Sequence, residues 1–237
     1  MEENTNFMVN EMITRADKLY DKEMLDQALE LYLEALKNAD EIDKQYLLRK
    51  IAECYFYKEN ADIDKAIEYE NELMKLKDGE SLQKEKIFYA TILAEKDKDQ
   101  AKKILLDLLN EAKSNKEILP EIYNTLGLIE WGTEESEKYF QSAMEEAKKT
   151  KDLENYILAL QNLAYMEIEK GNRMKAFDYL KNAMDAVDDV MKSLPKTKRK
   201  EFKESYADLY DQAANLALDM EDFDLAMEIA QRGKNLN

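Results

Sequence analysis

Residues 158–183, LALQNLAYMEIEKGNRMKAFDYLKNA, contain two apolar patterns of helical spacing with Gly171 between them. The apolar positions are Leu160, Leu163 and Ala164 before the glycine, and Ala176, Leu180 and Ala183 after it. Because Gly171-Asn172 is typical of a left-handed helix end, it predicts a tight corner. The stretch therefore predicts two antiparallel helices whose axes approach closely where the small alanines cross.

The same arrangement of small residues recurs along the chain. Each predicted second helix opens at a small residue: Ala28, Ala66, Ala101, Ser136, Ala176 and Ala226. Each predicted first helix carries another: Ala16, Ala52, Ala90, Gly127, Ala164 and Ala214. One helix pair cannot bury its apolar face alone, so recurring pairs predict a stack with a continuous core.

The predicted fold class is all-α, a right-handed α-solenoid of about six antiparallel helix pairs in a single domain, residues 1–237. The pairs are expected at about 5–39, 43–77, 80–115, 118–150, 152–193 and 197–235. Five glycines and two prolines in 237 residues agree with helices joined by short corners. A long coiled coil is the alternative architecture, but no heptad pattern continues past the corners.

Local signals support the corners. Gly79 predicts a left-handed helix end, and Ser114 with Glu117 predicts a capping box. The first helix of the last pair is expected to run unbroken over 197–220, longer than those before it.

The pattern of small and bulky residues resembles the tetratricopeptide repeat family. In that family the first helix carries a bulky residue followed by Leu-Ala or Leu-Gly, and the second carries Ala, an aromatic residue and Ala. Leu163-Ala164 and Ala176 match it in the fifth pair, and the resemblance covers nearly the whole chain. It implies a superhelix that binds proteins or peptides along its concave face.

A second, narrower resemblance begins at Ala183. Its marks are Ser193-Leu194-Pro195, Phe202, Asp208-Leu209-Tyr210 and Ala230-Gln231-Arg232-Gly233-Lys234. They are similar to the last, elongated repeat that precedes CHAT-type caspase-like protease domains in bacterial proteins. This resemblance implies the binding half of such a protein without its protease half.

Charge disfavours nucleic acid as a partner. The sequence has 35 Lys and Arg against 52 Asp and Glu, a net charge of −17, which would repel phosphates. The one basic run, Lys196, Lys198, Arg199 and Lys200, follows Pro195. It predicts a solvated helix start, with a docking patch as the alternative.

The sequence predicts a cytoplasmic protein with no membrane partner. No apolar stretch is long enough to span a bilayer, and the N-terminal MEENTNF lacks the plan of a signal peptide. The single Cys54 lies among apolar helix positions and is expected to be a small buried residue rather than a reactive thiol.

Catalysis is not expected, and neither is a cofactor or a metal. Histidine is absent, which removes the commonest general base and metal ligand, and the glycines are too scattered for a phosphate loop. Asn60, Asp62 and Asp64 alternate like the start of a calcium loop. The required glycine position holds Lys65, so a capped helix start is predicted instead.

The first helices are expected to supply the binding face. Its predicted residues are Arg49, Glu53, Tyr57, Lys84, Asn124, Trp131, Gln161, Asn162, Tyr165, Asp211 and Asn215. Amides would hydrogen-bond the backbone of an extended peptide, and tyrosines would contact its side chains. The alternative for each residue is wet surface or, for the aromatic ones, packing between helices.

The sequence leaves two functions open. One is a non-catalytic scaffold or adaptor, and the other is a regulatory sensor subunit that controls a caspase-like protease or binds a signalling peptide. The C-terminal pair could also dock a partner, a second copy or a separate effector domain. Alternatively, Asp222, Asp224 and Glu228 make its outer face polar enough.

Overall fold

The computed structural model describes residues 2–112 and 115–235, with side chains from residue 6 onwards, and these ranges contain thirteen α-helices and no strand. They divide into two compact units, Met1–Glu111 and Ala112–Asn237. The predicted all-α solenoid of antiparallel helix pairs is confirmed. The predicted Ser114 capping box lies outside the described residues.

Unit 1 consists of three antiparallel pairs in chain order. The helices are α1 (Glu2–Tyr20), α2 (Leu25–Leu36), α3 (Glu41–Tyr57), α4 (Ile63–Met74), α5 (Gly79–Leu93) and α6 (Lys98–Glu111). Each helix packs against the next along the chain. The core of the first two pairs centres on the fully buried Tyr32, Leu47 and Ile51, and Cys54 is buried among them as predicted.

Unit 2 repeats the arrangement after a short 3-10 turn, Lys116–Ile118. Its helices are α7 (Leu119–Ile129), α8 (Glu134–Thr150), α9 (Leu153–Glu169), α10 (Arg173–Ser193), α11 (Lys196–Glu204), α12 (Ala207–Asp219) and α13 (Phe223–Lys234). Its main core cluster joins α9 and α10 to α12 and α13, and includes Leu160, Leu180, Leu209 and Tyr210.

Small residues lie at the helix crossings, as predicted. The fully buried ones are Ala16, Ala28, Ala52, Ala66, Ala90, Ala101, Ser136, Ala164 and Ala176. At Gly127 an added Cβ would lie 2.5 Å from the Phe140 ring, so only glycine fits this crossing. Ala214 is the exception, because it is only half-buried.

The corners between helices are built from caps and left-handed residues. The Asp62 side chain accepts a hydrogen bond from the Lys65 N–H at 3.1 Å, which confirms the capped helix start. Gly171 has φ +78° and follows α9, as predicted. Gly79 also has positive φ, but it opens α5 rather than ending α4.

The prediction of one unbroken helix over 197–220 is wrong. The chain breaks at Ser205 and Tyr206, between α11 and α12. The Ser205 hydroxyl donates to the Phe202 carbonyl at 2.7 Å, and the Tyr206 N–H donates to the Lys203 carbonyl three residues back. These short-range bonds replace the regular helical ladder at this point.

The last pair is held to α10 by a shared carboxylate. Lys203 of α11 forms an ion pair with Asp188, the Tyr210 hydroxyl donates to Asp188 at 2.7 Å, and Arg232 of α13 donates to it at 2.7 Å. Arg232 also bonds Asp185 at 2.6 Å. Burial opposes ionisation of Asp188, but these donors hold its carboxyl pKa below the usual value.

Candidate functional site

In unit 1, Arg49 of α3 is already paired within the protein. Its guanidinium contacts the carboxylates of Glu70 on α4 and Glu85 on α5, and lies 4.2 Å from the centre of the Phe88 ring. Only 21% of the side chain is exposed. The predicted binding cation therefore ties three helices together, and its charge is largely neutralised.

Glu70 is an unusual partner for Arg49. The residue is fully buried, and neither carboxylate oxygen accepts a hydrogen bond from any described residue. Arg49 lies 3.3 Å from Oε1 but without hydrogen-bond geometry. Burial raises the pKa of the Glu70 carboxyl to about 7, although Arg49 favours the charged form.

The other predicted residues of unit 1 differ in their exposure and in whether they have partners within the protein. Glu53 pairs with Lys50 at 3.0 Å. Lys84 is exposed on α5. The Tyr57 ring is 55% exposed and packs edge-to-face against Phe56, with ring centres 4.8 Å apart. Unit 1 thus presents an exposed tyrosine on its first-helix face.

In unit 2, two of the predicted amides are buried. Asn124 of α7 is 2% exposed and donates to the backbone carbonyl of Asn155 at 3.1 Å and to its side chain at 3.0 Å. Asn162 is 7% exposed, and its Nδ2 has no partner among the described residues. Both would contact a ligand only if their side chains turned outwards, so their described positions serve helix packing.

A groove lies between α9 and α12, and it contains three predicted residues. It encloses about 340 Å³. Its lining is Tyr165, Ile168, Asp208, Asp211, Gln212, Asn215, Leu216 and Asp219. Beside it, Gln161 donates to Gln212 at 3.0 Å and so joins the two helices. We call this feature the α9–α12 groove.

The α9–α12 groove combines an aromatic ring, an apolar floor and unpaired acids. The Tyr165 ring is 49% exposed, whereas Leu216 is 3% exposed. Asp208, Asp211 and Asp219 are exposed on α12, and none of them forms an ion pair within residues 115–235. Such a surface can hydrogen-bond an extended chain and attract positive charge.

A wider hollow of about 890 Å³ lies at the neighbouring corners, between Gly171–Lys175 and Asp219–Glu221. It is also lined by polar side chains, including Arg173, Lys175 and Asp219, but none of Tyr165, Asp211 and Asn215 lines it. We therefore take the groove as the candidate site.

Trp131 lies beyond the end of α7, away from the groove residues in sequence. It is 36% exposed and packs edge-to-face on Phe140, with ring centres 5.9 Å apart. Part of its surface is thus used in packing.

Sequence reasoning missed Gln212, Ile168 and Leu216 as groove residues. Gln212 stands next to Asp211 and four residues before Leu216, so helical spacing could have placed both along the groove. Ile168 follows Tyr165 by three residues on α9. Whether these side chains face the groove depends on how α12 is rotated about its own axis. The sequence pattern did not specify that rotation.

Within the described ranges, no group of three or more His, Cys, Asp or Glu side chains could hold a metal ion. Burial raises the pKa of the Cys54 thiol to about 12, so this thiol is not ionised near neutral pH. None of the helices in those ranges is long and apolar enough to cross a membrane.

Comparison with known proteins shows which solved structures have a similar fold. No family model matches the chain, and no curated protein matches its sequence. Among solved structures, the chain is similar to a Rap protein complexed with competence and sporulation factor. The TM-score is 0.61 at 17% identity, over 95% of this chain and 73% of that one.

Two further structures agree. BtubC (BKLC) from P. vanneervenii gives a TM-score of 0.57 at 14% identity, over 96% of this chain and 90% of that one. A signal transduction ATPase with a tetratricopeptide repeat sensor, from Pyrococcus horikoshii, gives 0.50 at 16% identity. The match covers 94% of this chain but only 41% of that one. The chain therefore has a tetratricopeptide-like helical-repeat fold.

Proposed function

We propose that this chain is a non-catalytic binding protein that holds an extended peptide segment of another protein in the α9–α12 groove. The observation that carries the proposal is the convergence of exposed Tyr165 with Asp211 and Asn215 around one open groove. Polar groups without internal partners beside an apolar floor are what peptide recognition needs.

The lack of histidine and of an ionised thiol supports a binding role. The sequence contains no histidine, and its single thiol is buried and protonated. A Rap protein of similar fold is complexed with competence and sporulation factor, which supports a binding role for this type of fold. Arg49, Glu53, Tyr57 and Lys84 stay candidate contacts of unit 1.

In this proposal the predicted amides divide into two groups. Gln161 positions Gln212 at the groove wall, and Asn215 contacts the ligand backbone. Asn124 joins α7 to α9 through its hydrogen bonds to Asn155, and Asn162 is buried on α9. Trp131 offers a partly exposed ring at the other end of the same set of first helices.

The test compares two matched double variants. Peptides are first selected from a random display library on the full chain, and their affinities are measured by fluorescence anisotropy. Asp211→Ala/Asn215→Ala is expected to weaken binding at least about tenfold, because centrally placed contacts carry most binding energy. Asp178→Ala/Asn182→Ala repeats the residue types and spacing on the exposed side of α10 and should change affinity less than about twofold.

Equal losses from both double variants, or a loss only from the α10 variant, would show that the groove is not the binding site. Both pairs are exposed, so melting temperatures should stay near that of the parent and separate binding from folding.

The regulatory alternative stays a prediction that depends on the C-terminal resemblance. The marks Tyr210 and Arg232 meet at Asp188 in this structure, so they have a packing role whatever the partner. Gene neighbourhood is the simplest test, since an adjacent CHAT-type protease would favour the sensor function.

A further inference from the structure

The α9–α12 groove carries negative charge that no side chain of its lining neutralises. Three exposed aspartates of α12 line it: Asp208, Asp211 and Asp219. None of them forms an ion pair within residues 115–235, and none of the described lining residues is Lys or Arg. Arg173 and Lys175 line the neighbouring hollow, but neither is paired with Asp219, and Lys175 lies 3.0 Å from Glu167. A ligand in the groove therefore meets free carboxylates.

The helices α9 and α12 run side by side in the same direction. Gln161, at the middle of α9, donates to Gln212, near the middle of α12, at 3.0 Å. Gly171 and Glu221, each just past the end of its helix, line one hollow. The two pairs are offset by 51 and 50 residues, so each residue of α9 lies level with the residue about fifty positions later.

This register places an aromatic ring between two of the acids. Tyr165 lies level with Leu216, and both line the groove. Asp211 and Asp219 lie on either side of that level, eight residues apart on α12. At a helical rise of about 1.5 Å per residue their backbones are separated by about 12 Å along the helix. The groove thus has an aromatic and apolar centre with a carboxylate on each side of it.

An extended peptide has side chains at a matching spacing. Its rise of about 3.3 Å per residue places residues four apart at about 13 Å, and because successive side chains alternate, these two and the one midway between them face the same side. Two cationic residues four apart would therefore reach both carboxylates. The residue midway between them would contact Tyr165 and Leu216.

Gln212 gives a second reason to expect a peptide backbone in the groove. Its side chain is part of the lining, and its Oε1 accepts the hydrogen bond from Gln161. Its Nε2 is buried and has no hydrogen-bond partner among the described residues, which is unfavourable for a donor. A small rotation of the side chain would let Nε2 donate to a backbone carbonyl of a bound peptide.

We propose that the α9–α12 groove selects an extended segment with Lys or Arg at two positions four residues apart and an apolar residue midway between them. This inference rests on the proposed function, because it names the chemistry of the peptide that the groove binds. One cation pairs with Asp211 and the other with Asp219, and the apolar side chain lies beside Tyr165 and Leu216. Acidic peptides are repelled, so charge sets the specificity.

The first experiment compares selections from a random display library of peptides of about twelve residues. On the full parent chain, the recovered peptides should be enriched in Lys or Arg four residues apart. On Asp211→Lys/Asp219→Lys the enriched residues should become Asp and Glu, because the charge that they meet is reversed. Asp178→Lys/Glu228→Lys makes the same change of charge at exposed positions outside the groove and should keep the preference of the parent.

The second experiment measures affinities by fluorescence anisotropy with the most enriched peptide from the parent selection. Replacing its two cations by Glu should weaken binding at least about tenfold in about 20 mM NaCl, and the ratio should shrink in about 500 mM NaCl. Asp211→Asn/Asp219→Asn should weaken the original peptide by a similar factor at low salt. Asp178→Asn/Glu228→Gln should leave its affinity within about twofold.

An uncharged change separates this inference from the proposed function. Tyr165→Ala/Asn215→Ala alters the groove without removing a charge. If it weakens the selected peptides but they lack paired cations, or if Asp211→Lys/Asp219→Lys still selects Lys and Arg, the charge rule is wrong and the groove remains the binding site. If it has no effect on any selected peptide, both proposals are wrong. Melting temperatures within about 2 °C of the parent would show that lost folding does not explain lost binding.

Discussion

At the scale of single residues, Glu70 is the clearest case of a charge placed where solvent cannot reach it. It faces Arg49 from α4, while Glu53 adds negative charge from α3 and Lys77 positive charge from beyond the end of α4. Glu85 of α5 forms an ion pair with the same guanidinium. The cation is shared between two carboxylates, so the Glu70 carboxylate loses hydration without gaining a hydrogen bond.

Stability should therefore depend on the pH in a defined direction. The pKa of Glu70 is about 7 in the folded chain and its reference value is 4.5. Between these values the folded state binds a proton that the unfolded state has released, so unfolding free energy falls as pH rises through this window and levels off above 7. Glu70→Gln keeps the shape and removes the charge. We expect it to raise the unfolding free energy by about 1–3 kcal/mol at pH 8 and by little at pH 4.5.

Urea denaturation at the two pH values measures this difference. Glu68→Gln removes an exposed carboxylate from the same helix and should give the same small effect at both. If Glu70→Gln changed the unfolding free energy at pH 8 no more than Glu68→Gln does, burial would not be destabilising the charged Glu70 carboxylate.

At the scale of helices, small residues decide how closely the pairs pack. Ala164 and Ala214 occupy the same position in the fifth and sixth pairs, but Ala164 is fully buried and Ala214 only half-buried. The difference arises because α12 covers the fifth pair, whereas the outer side of the sixth is open in the described residues. One position of the repeat thus has two environments, depending on whether another helix packs against it.

The two alanines provide a matched experiment. Ala164→Leu forces three extra carbons into a filled crossing and should lower the unfolding free energy by about 1–3 kcal/mol. Ala214→Leu places the same side chain at a partly open position and should change stability by less than about 0.5 kcal/mol. Thermal denaturation followed by circular dichroism compares the stability of the two variants. If both substitutions lowered stability equally, the register linking the two pairs would be wrong.

At the scale of the whole molecule, net charge is the dominant long-range term. The chain carries 52 acidic against 35 basic residues, and several of its ion pairs are exposed contacts within one helix, such as Lys192 with Asp189. Exposed pairs of this kind contribute little to stability. Repulsion among the excess carboxylates opposes the folded state.

Added salt is expected to stabilise the chain for this reason. Raising NaCl from 20 to 500 mM at pH 7.5 shortens the Debye length to about 4 Å and screens the long-range repulsion. The melting temperature in differential scanning calorimetry should rise by a few degrees, which corresponds to an increase in unfolding free energy on the order of 1 kcal/mol. A fall would mean that the ion pairs, including Arg232 with Asp185, contribute more than the repulsion costs.

Part of the candidate site was predictable from the sequence. The sequence placed Tyr165, Asp211 and Asn215 on the predicted binding face of the first helices, and all three line one groove. The burial of Asn124 and the pairing of Arg49 were not predictable. Nothing local distinguishes Glu70 and Glu85 from the other acids, because their importance comes from helices that meet only in the folded chain.

The sequence by itself determined the all-α class, the pairing of consecutive helices and most of their boundaries, because these arise from apolar spacing, small residues and corner signals along the chain. Only the tertiary structure brought Lys203, which lies beside the Ser205–Tyr206 break, to Asp188 on α10. It also decided which polar residues are buried and which face of the last pair stays open. Those properties depend on contacts between residues distant in sequence, and helical periodicity does not encode them.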